Sequence, residues 1–236
     1  MTAPPSTAMP PRAVTASPSP AVTPAPLSLT MVAGQLVIAG VGGTQITPGL
    51  RHLILDDKVG GVILYRSNFI DAPGLARWSH DLEALGVQAG LPAPLLVTLD
   101  EEGGDVEQLD SGIPLLPPAR RLGAQGPAAV RRSVAQTATG LRGLGVTLDL
   151  APVADLRTNP ADAVIGDRSF GADAAAVSPL VSAYIAGLHD GGVGATIKHF
   201  PGLGGAAGDP HRALPTDTVD AATWRRTSAE SFSAGI

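Results

Sequence analysis

Near the C-terminal end of the chain a cation, two imidazoles and a carboxylate share one short segment, Lys198-His199-Phe200-Pro201-Gly202-Leu203-Gly204-Gly205-Ala206-Ala207-Gly208-Asp209-Pro210-His211. Asp209 stands two residues before His211, close enough to hold its ring in one tautomer and raise its basicity, which is what a proton-transfer imidazole needs. Gly202, Gly204, Gly205 and Gly208 make the intervening stretch a poor helix or strand. It reads as a mobile loop that could close the His–Asp pair over a bound substrate. Two other readings compete. Lys198 could simply pair with a carboxylate while His211 is a solvated loop histidine. His199, Asp209 and His211 also have the ligand types of a zinc site, but their spacing matches no standard zinc signature; no metal and no cofactor is expected.

A second cluster is Asp100-Glu101-Glu102-Gly103-Gly104, directly after the apolar run Leu95 to Leu99. Carboxylates at a strand end either meet a ligand or cap the following turn; Asp100 is assigned the first role and Glu102 the second. Arg168, in the compact Gly166-Asp167-Arg168-Ser169-Phe170-Gly171 stretch, suits either substrate contact or loop support. Asp155 is expected to order a strand end, and Asp149 has no assigned role.

The elements that must position these groups follow from periodicity. Apolar runs at Leu36 to Val41, Val59 to Tyr65, Leu95 to Leu99, Val146 to Ala151 and Gly194 to Phe200 read as buried strands. Between them, Ala72 to Leu85, Ala128 to Leu144 and Ala174 to His189 carry helical spacing, with Leu75, Trp78, Leu82 and Leu85, and Val177, Leu180, Tyr184 and Leu188, as inner faces. Strands alternating with helices imply parallel βαβ units. The dinucleotide fingerprint of a doubly wound sheet is absent at Val41-Gly42-Gly43-Thr44. Asp100, Asp155, Lys198 and His199 instead gather at the C-terminal ends of different strands, where barrel enzymes place their chemistry. The expected fold is therefore an α/β barrel of the (β/α)8, TIM type, incomplete, with about five to six βα repeats where closure needs eight. The last residues read as an uncapped helix running to Ile236, so the barrel is expected to continue in a longer protein.

Composition sets the outer limits. A net charge of −5 disfavours nucleic acid or an anionic membrane as the main partner. With no cysteine, disulfides, zinc-thiolate sites and thiol nucleophiles are excluded. Residues 1–26 are rich in Pro, Ala, Ser and Thr and lack large apolar residues; they are expected to be a disordered tail preceding one domain over 27–236. The tail has no apolar signal region, and no run reaches the ~20 residues of a membrane span. As written the chain would stay in the cytoplasm, and would be exported if an upstream signal were lost. Nothing in the pattern indicates an oligomeric state.

Four blocks in register resemble the family 3 glycoside hydrolases, specifically their β-N-acetylglucosaminidase subgroup. They are Val59-Gly60-Gly61-Val62-Ile63-Leu64-Tyr65 with Asn68; Asp100-Glu101-Glu102-Gly103-Gly104 with Leu116-Pro117; Ala151-Pro152-Val153-Ala154-Asp155 with the Ile165 to Gly171 stretch; and Lys198-His199-Phe200-Pro201-Gly202 with Asp209, His211 and Leu214-Pro215. The resemblance implies retaining hydrolysis of terminal β-linked N-acetylhexosamine in cell-wall sugar turnover, with a small carbohydrate as substrate. Asp100 would accept from sugar hydroxyls; Arg168, Lys198 and His199 would donate to hydroxyls or the acyl group; His211 would be the acid/base, oriented by Asp209. Such an exchange departs from the two carboxylates most glycosidases use. The family's nucleophilic aspartate would lie on a later strand, beyond Ile236. Departures include Leu203 where the family has a histidine, Pro210 between the pair, and Asp105 and Gln108 in place of two arginines. A catalytically incomplete or vestigial sugar-binding barrel is the alternative, and a metal-dependent barrel enzyme the third reading.

Overall fold

The computed structural model describes residues 27–159, 162, 164–206 and 208–236. The stretch 1–26, expected to be a disordered tail, lies outside the described residues. Five short strands form one sheet in the order β1-β2-β3-β4-β5: β1 Ile38–Gly40, β2 Gly61–Ile63, β3 Leu96–Leu99, β4 Leu148–Asp149 and β5 Gly194–Ala195. All four pairings are parallel, with Val62 beside Val97, Leu99 beside Asp149, and Asp149 beside Ala195. Each strand's neighbour in space is its neighbour in sequence. There is no point where the order reverses, as a doubly wound sheet requires, so the sheet is an arc of a (β/α) barrel, with five strands among the described residues.

The helices are α1 Leu29–Gln35, α2 Pro48–Leu55, α3 Ala72–Gln88, α4 Ala119–Gly123, α5 Pro127–Gly143, α6 Ala174–Asp190, α7 Ala221–Arg226 and α8 Ser228–Ser233. Their starts are written locally. Asp71 accepts from the Gly74 N–H at 2.8 Å, Asp173 from Ala175 at 2.9 Å and Asp220 from Thr223 at 2.8 Å, each satisfying an amide that the helix itself cannot. Pro lies at the first turn of α2, α3 and α5, where its missing N–H costs nothing. The two predicted inner faces are both buried: Leu75, Trp78, Leu82 and Leu85 on α3, and Val177, Leu180, Tyr184 and Leu188 on α6. Removing each such side chain from water contributes roughly 1.5–3 kcal/mol. They join the strand residues Val62, Val97 and Leu99 in one core, which holds the strand ends rigidly.

Two expectations need correcting. The strands are shorter than their apolar runs, because ladder pairing covers only part of each. The terminal helix does not run to Ile236: α8 stops at Ser233, with Ala234 as its cap. The Ser182 hydroxyl donates to the Ala234 carbonyl at 2.6 Å, giving a terminal carbonyl a partner, and Gly235 follows, as at many helix ends.

Among the described residues β1 and β5 are the outer strands. Ile38, Leu36 and Val37 beside β1, and Phe200 and Ile236 beyond β5, are exposed. Unpaired parallel edges flanked by apolar side chains invite association. The 236-residue chain is expected to self-associate with rising concentration in analytical ultracentrifugation, and Ile38→Lys, which puts a charge on the β1 edge, to reduce it. A chain that stays monomeric at high concentration would contradict this.

Candidate functional site

Beyond the C-terminal ends of β3, β4 and β5 lies an open cavity of about 540 Å³. Asp100, Glu102, Arg168, Lys198, His199 and His211 all line it. Asp100 and Glu102 follow β3 directly. Backbone alternation sends these two toward the cavity while Glu101 turns inward and is almost fully buried. The chain can turn sharply here because Gly103 has φ +95°, and a Cβ on it would meet the Leu116 Cβ at 2.7 Å. Lys198 and His199 come from the segment after β5, which continues alongside the segment after β4: the Lys198 N–H donates to the Pro152 carbonyl at 3.1 Å, and the Ala154 N–H to the Lys198 carbonyl at 2.7 Å. Arg168 ends a short 3-10 turn, Gly166–Arg168.

Glu102 is the hub. Arg168 donates to both of its oxygens, Nε to Oε2 and Nη2 to Oε1, each at 2.7 Å, the bidentate geometry a guanidinium favours. Lys198 Nζ adds a third contact to Oε1 at 2.6 Å and also bonds Asp100 Oδ1. Burial alone would raise the Glu102 pKa, but the Arg168 hydrogen bonds and the Arg168 and Lys198 charges outweigh it and hold this carboxyl below its ordinary value. In the reverse direction burial works against the Arg168 charge, yet Glu102 raises that pKa. Two carboxylates and two cations thus compensate each other, leaving the cavity floor without net charge. Breaking such a buried set by removing one member costs about 3–5 kcal/mol.

His199 and His211 have separate supports. The His199 ring meets Asp155 through Nδ1 at 2.6 Å, and its Nε2 lies 3.3 Å from Arg168 Nη2. His211 sits on the loop, its side chain 79% exposed, with both its backbone N–H and its Nδ1 on Asp209 Oδ1, at 2.9 and 2.7 Å. These bonds, the backbone one foremost, lower the Asp209 pKa. The Asp–His pairing expected from the spacing is therefore formed, on a residue that lines the cavity. Among the described residues, no group of three or more His, Asp or Glu is placed to hold a metal ion, so the zinc reading of His199, Asp209 and His211 has no geometric support.

The structure brings all four predicted substrate-binding residues, Asp100, Arg168, Lys198 and His199, together with His211, with Asp209 behind the latter. Sequence reasoning undervalued Glu102, expected only to cap a turn, because its partner Arg168 is 66 positions away. It also gave Asp149 no role. Asp149 is buried at the end of β4, where its Oδ1 accepts the Glu101 N–H at 2.9 Å.

Residues 28–236 match the model of the glycosyl hydrolase family 3 N-terminal domain. The chain belongs to glycosyl hydrolase family 3. It is 40% identical over 194 residues to a β-hexosaminidase of Thiobacillus denitrificans, covering 79% of this chain and 52% of that protein. With a β-hexosaminidase of Xanthomonas euvesicatoria pv. vesicatoria it shares 35% over 209 residues, 85% of this chain and 60% of that protein. The family 3 β-N-acetylglucosaminidase of Paenibacillus sp. str. FPU-7 superposes with a TM-score of 0.85 at 36% identity, over 89% of this chain and 40% of that one. NagZ from Neisseria gonorrhoeae gives 0.76 at 31%, over 84% and 58%. This family 3 chain spans about half to three-fifths of the length of those curated relatives, and the barrel-like fold expected from its strand order is the fold of the family.

Behind the cavity the carboxyl chemistry inverts. Burial raises the Glu101 pKa from 4.5 to about 7, against two backbone N–H groups, Gln108 and Leu109, that pull it down; burial likewise raises that of Asp149 well above its ordinary value. A carboxyl whose folded pKa is raised binds its proton more tightly folded than unfolded. Its contribution is complete below pH 4.5 and is lost as pH rises to about 7. Urea unfolding at pH 4.5 and at pH 7.5 should therefore show a loss for the natural chain of up to about 3 kcal/mol from this group, which Glu101→Gln removes. Equal slopes in the two proteins would contradict the assignment.

Proposed function

We propose that this chain forms the sugar-binding and acid/base portion of a retaining exo-β-N-acetylhexosaminidase acting on cell-wall-derived sugars. The observation that carries the reading is the placement of the Asp209-supported His211 ring on the same cavity as Asp100, Arg168, Lys198 and His199. A neutral floor bristling with fixed donors and acceptors suits an uncharged, hydroxyl-rich ligand better than an anion. Names of the relatives, β-hexosaminidase and β-N-acetylglucosaminidase, agree with that chemistry.

In this reading Asp100 accepts from sugar hydroxyls, while Lys198 and Arg168 offer N–H groups to hydroxyls or the acyl oxygen. Asp209 holds the hydrogen of His211 at Nδ1, so Nε2 gives a proton to the leaving oxygen once protonated and takes one from water in the second half-reaction. Glu102 is bound by two cations and Asp100 by one, so neither is free to attack the anomeric carbon. The nucleophilic aspartate implied by the family resemblance would lie on a later strand. An incomplete, sugar-holding barrel remains the second reading, supported by the same lack of a free carboxylate among the described cavity residues.

Turnover of the nitrophenyl N-acetyl-β-glucosaminide, in protein carrying this chain at the full length of its relatives, separates the two. His211→Ala is expected to lower kcat by about 10²–10⁴, and Asp209→Ala to lower kcat with little change in KM. Full activity in His211→Ala would sink the hydrolase mechanism; binding of N-acetylglucosamine without turnover would favour the second reading.

A further inference from the structure

Behind His199 is a carboxylate to which neither the family resemblance nor the proposed mechanism gives a part. Asp155 is completely buried, and both its oxygens face only donors. Oδ2 accepts from the His199 backbone N–H at 3.0 Å and faces the His199 ring Nδ1 at 2.6 Å. Oδ1 accepts from the Leu203 N–H at 2.6 Å. The residue is brought level with His199 because the segment after β4 pairs with the segment after β5, Val153 bridging to Lys198 in parallel fashion.

We propose that Asp155 is a positioning residue that fixes His199 as the Nδ1–H tautomer, so that its Nε2 accepts from Arg168, and that ties this ring to the root of the His211 loop. Both Asp155 oxygens already accept a backbone N–H, so the carboxylate acts as an acceptor throughout and the hydrogen between Asp155 and His199 belongs to Nδ1. On the other side Nε2 faces Arg168 Nη2 at 3.3 Å. A guanidinium has only N–H groups to offer and no lone pair to receive one. The two neighbours therefore agree: Nδ1 donates, Nε2 accepts. Arg168 cannot turn away to relax this, since Glu102 grips it through two bonds of 2.7 Å.

The consequence concerns which ligand group each side chain can take. With Nδ1–H on Asp155 and the single lone pair of Nε2 on Arg168, the His199 ring has neither a hydrogen nor a lone pair left over for a ligand, and the hydrogens offered to the cavity are those of Lys198 and Arg168. A ligand carbonyl can take no hydrogen from this ring and is directed to the cations, and the part of the ring is to aim Arg168. This removes the donor role that the resemblance implied for His199. The identity of the ligand rests on the sugar reading above, but the tautomer is a property of the ligand-free protein.

The second bond of Asp155 matters equally. Leu203 opens the glycine-rich stretch that carries Asp209 and His211, and its N–H shares the carboxylate that orients His199. Thr158 and Asn159 add N–H donors to the Gly204 carbonyl at 3.2 and 3.1 Å. Asn in place of Asp155 cannot serve both sides: whichever way its amide points, one NH2 faces an N–H donor.

Long-range proton–nitrogen NMR on the uniformly labelled chain without ligand reads the tautomer directly. His199 is expected to show a protonated Nδ1 and a bare Nε2, with the exposed His52 and His80 as internal references. In Asp155→Asn the pattern should move toward Nε2–H, and exchange of the Leu203 amide should rise by about tenfold or more. A bare Nδ1 in the natural protein, or an unchanged tautomer in a folded Asp155→Asn, would overturn the proposal. Should the variant not fold, the natural chain's spectrum decides alone. Failure to bind N-acetylglucosamine would count against the sugar reading without touching this result.

Discussion

The arrangement of the cavity depends on one buried carboxylate, Glu102, being held between a guanidinium and an ammonium. Without it Arg168 and Lys198 would be two like charges facing each other across a partly buried floor, and each would swing toward solvent. With it the two cations are compensated and aimed. Lys198 can then bond Asp100 as well, and Arg168 can reach the Nε2 of His199. The cost of desolvating four ionised groups is repaid only because the bonds are short and nearly every charge has more than one partner. Such a set does little for stability compared with apolar packing, so its value is in orientation: donors and acceptors are in place before any ligand arrives.

The same run of acids shows how environment divides identical chemistry. Glu101 and Glu102 are neighbours, yet burial raises one pKa to about 7 while cations lower the other. The cause is the two-residue alternation of extended backbone, which turns Glu102 to the cavity and Glu101 to the interior beside Asp149 and below the Tyr184 hydroxyl, which donates to the Glu101 carbonyl at 3.2 Å. An ionised outer layer and a proton-retaining inner layer result. Pairs of carboxyls pushed apart in this way are how a strand end can carry several acids without mutual repulsion.

What could be read from the sequence follows the range of the interaction responsible. The long helices α3, α5 and α6 fall within a few residues of their apolar periodicity, because caps such as Asp71 and Asp173 and the first-turn prolines act over three or four positions. Parallel strands were legible as runs and not as ladders, since pairing lengths are set by the neighbouring strand. Asp209 and His211 were legible because they are two apart. Glu102 with Arg168, and Asp155 with His199, are separated by 66 and 44 positions, and no local pattern in D-E-E-G-G or A-P-V-A-D distinguishes a carboxylate that orients a partner from one that caps a turn. Gln108 was marked as a missing arginine; in the structure its side chain donates to the Asp100 carbonyl at 3.1 Å and accepts from the Arg66 N–H at 2.8 Å, so it braces the strand end in place of contacting ligand as a cation would.

The loop bearing His211 combines fixed and movable parts, and the boundary between them can be located. Its root is pinned: the Trp224 indole N–H donates to the Pro201 carbonyl at 2.7 Å, Phe200 packs edge-on against Trp224 and Phe232, and Leu203 and Gly204 are bonded to the segment after β4. Further along, Gly208 has φ +101° with nothing near where a Cβ would be, and the His211 side chain is held chiefly by Asp209, two residues away. Any displacement that carries the Asp209–His211 pair can therefore hinge near Gly208 without dragging on His199. In the proposed mechanism a proton-transfer group must approach the leaving oxygen closely, whereas the groups that position the sugar are best held in place. Bonding the pair to itself and the loop root to the sheet meets both demands of the proposed mechanism, because His211 travels with its own orienting carboxylate.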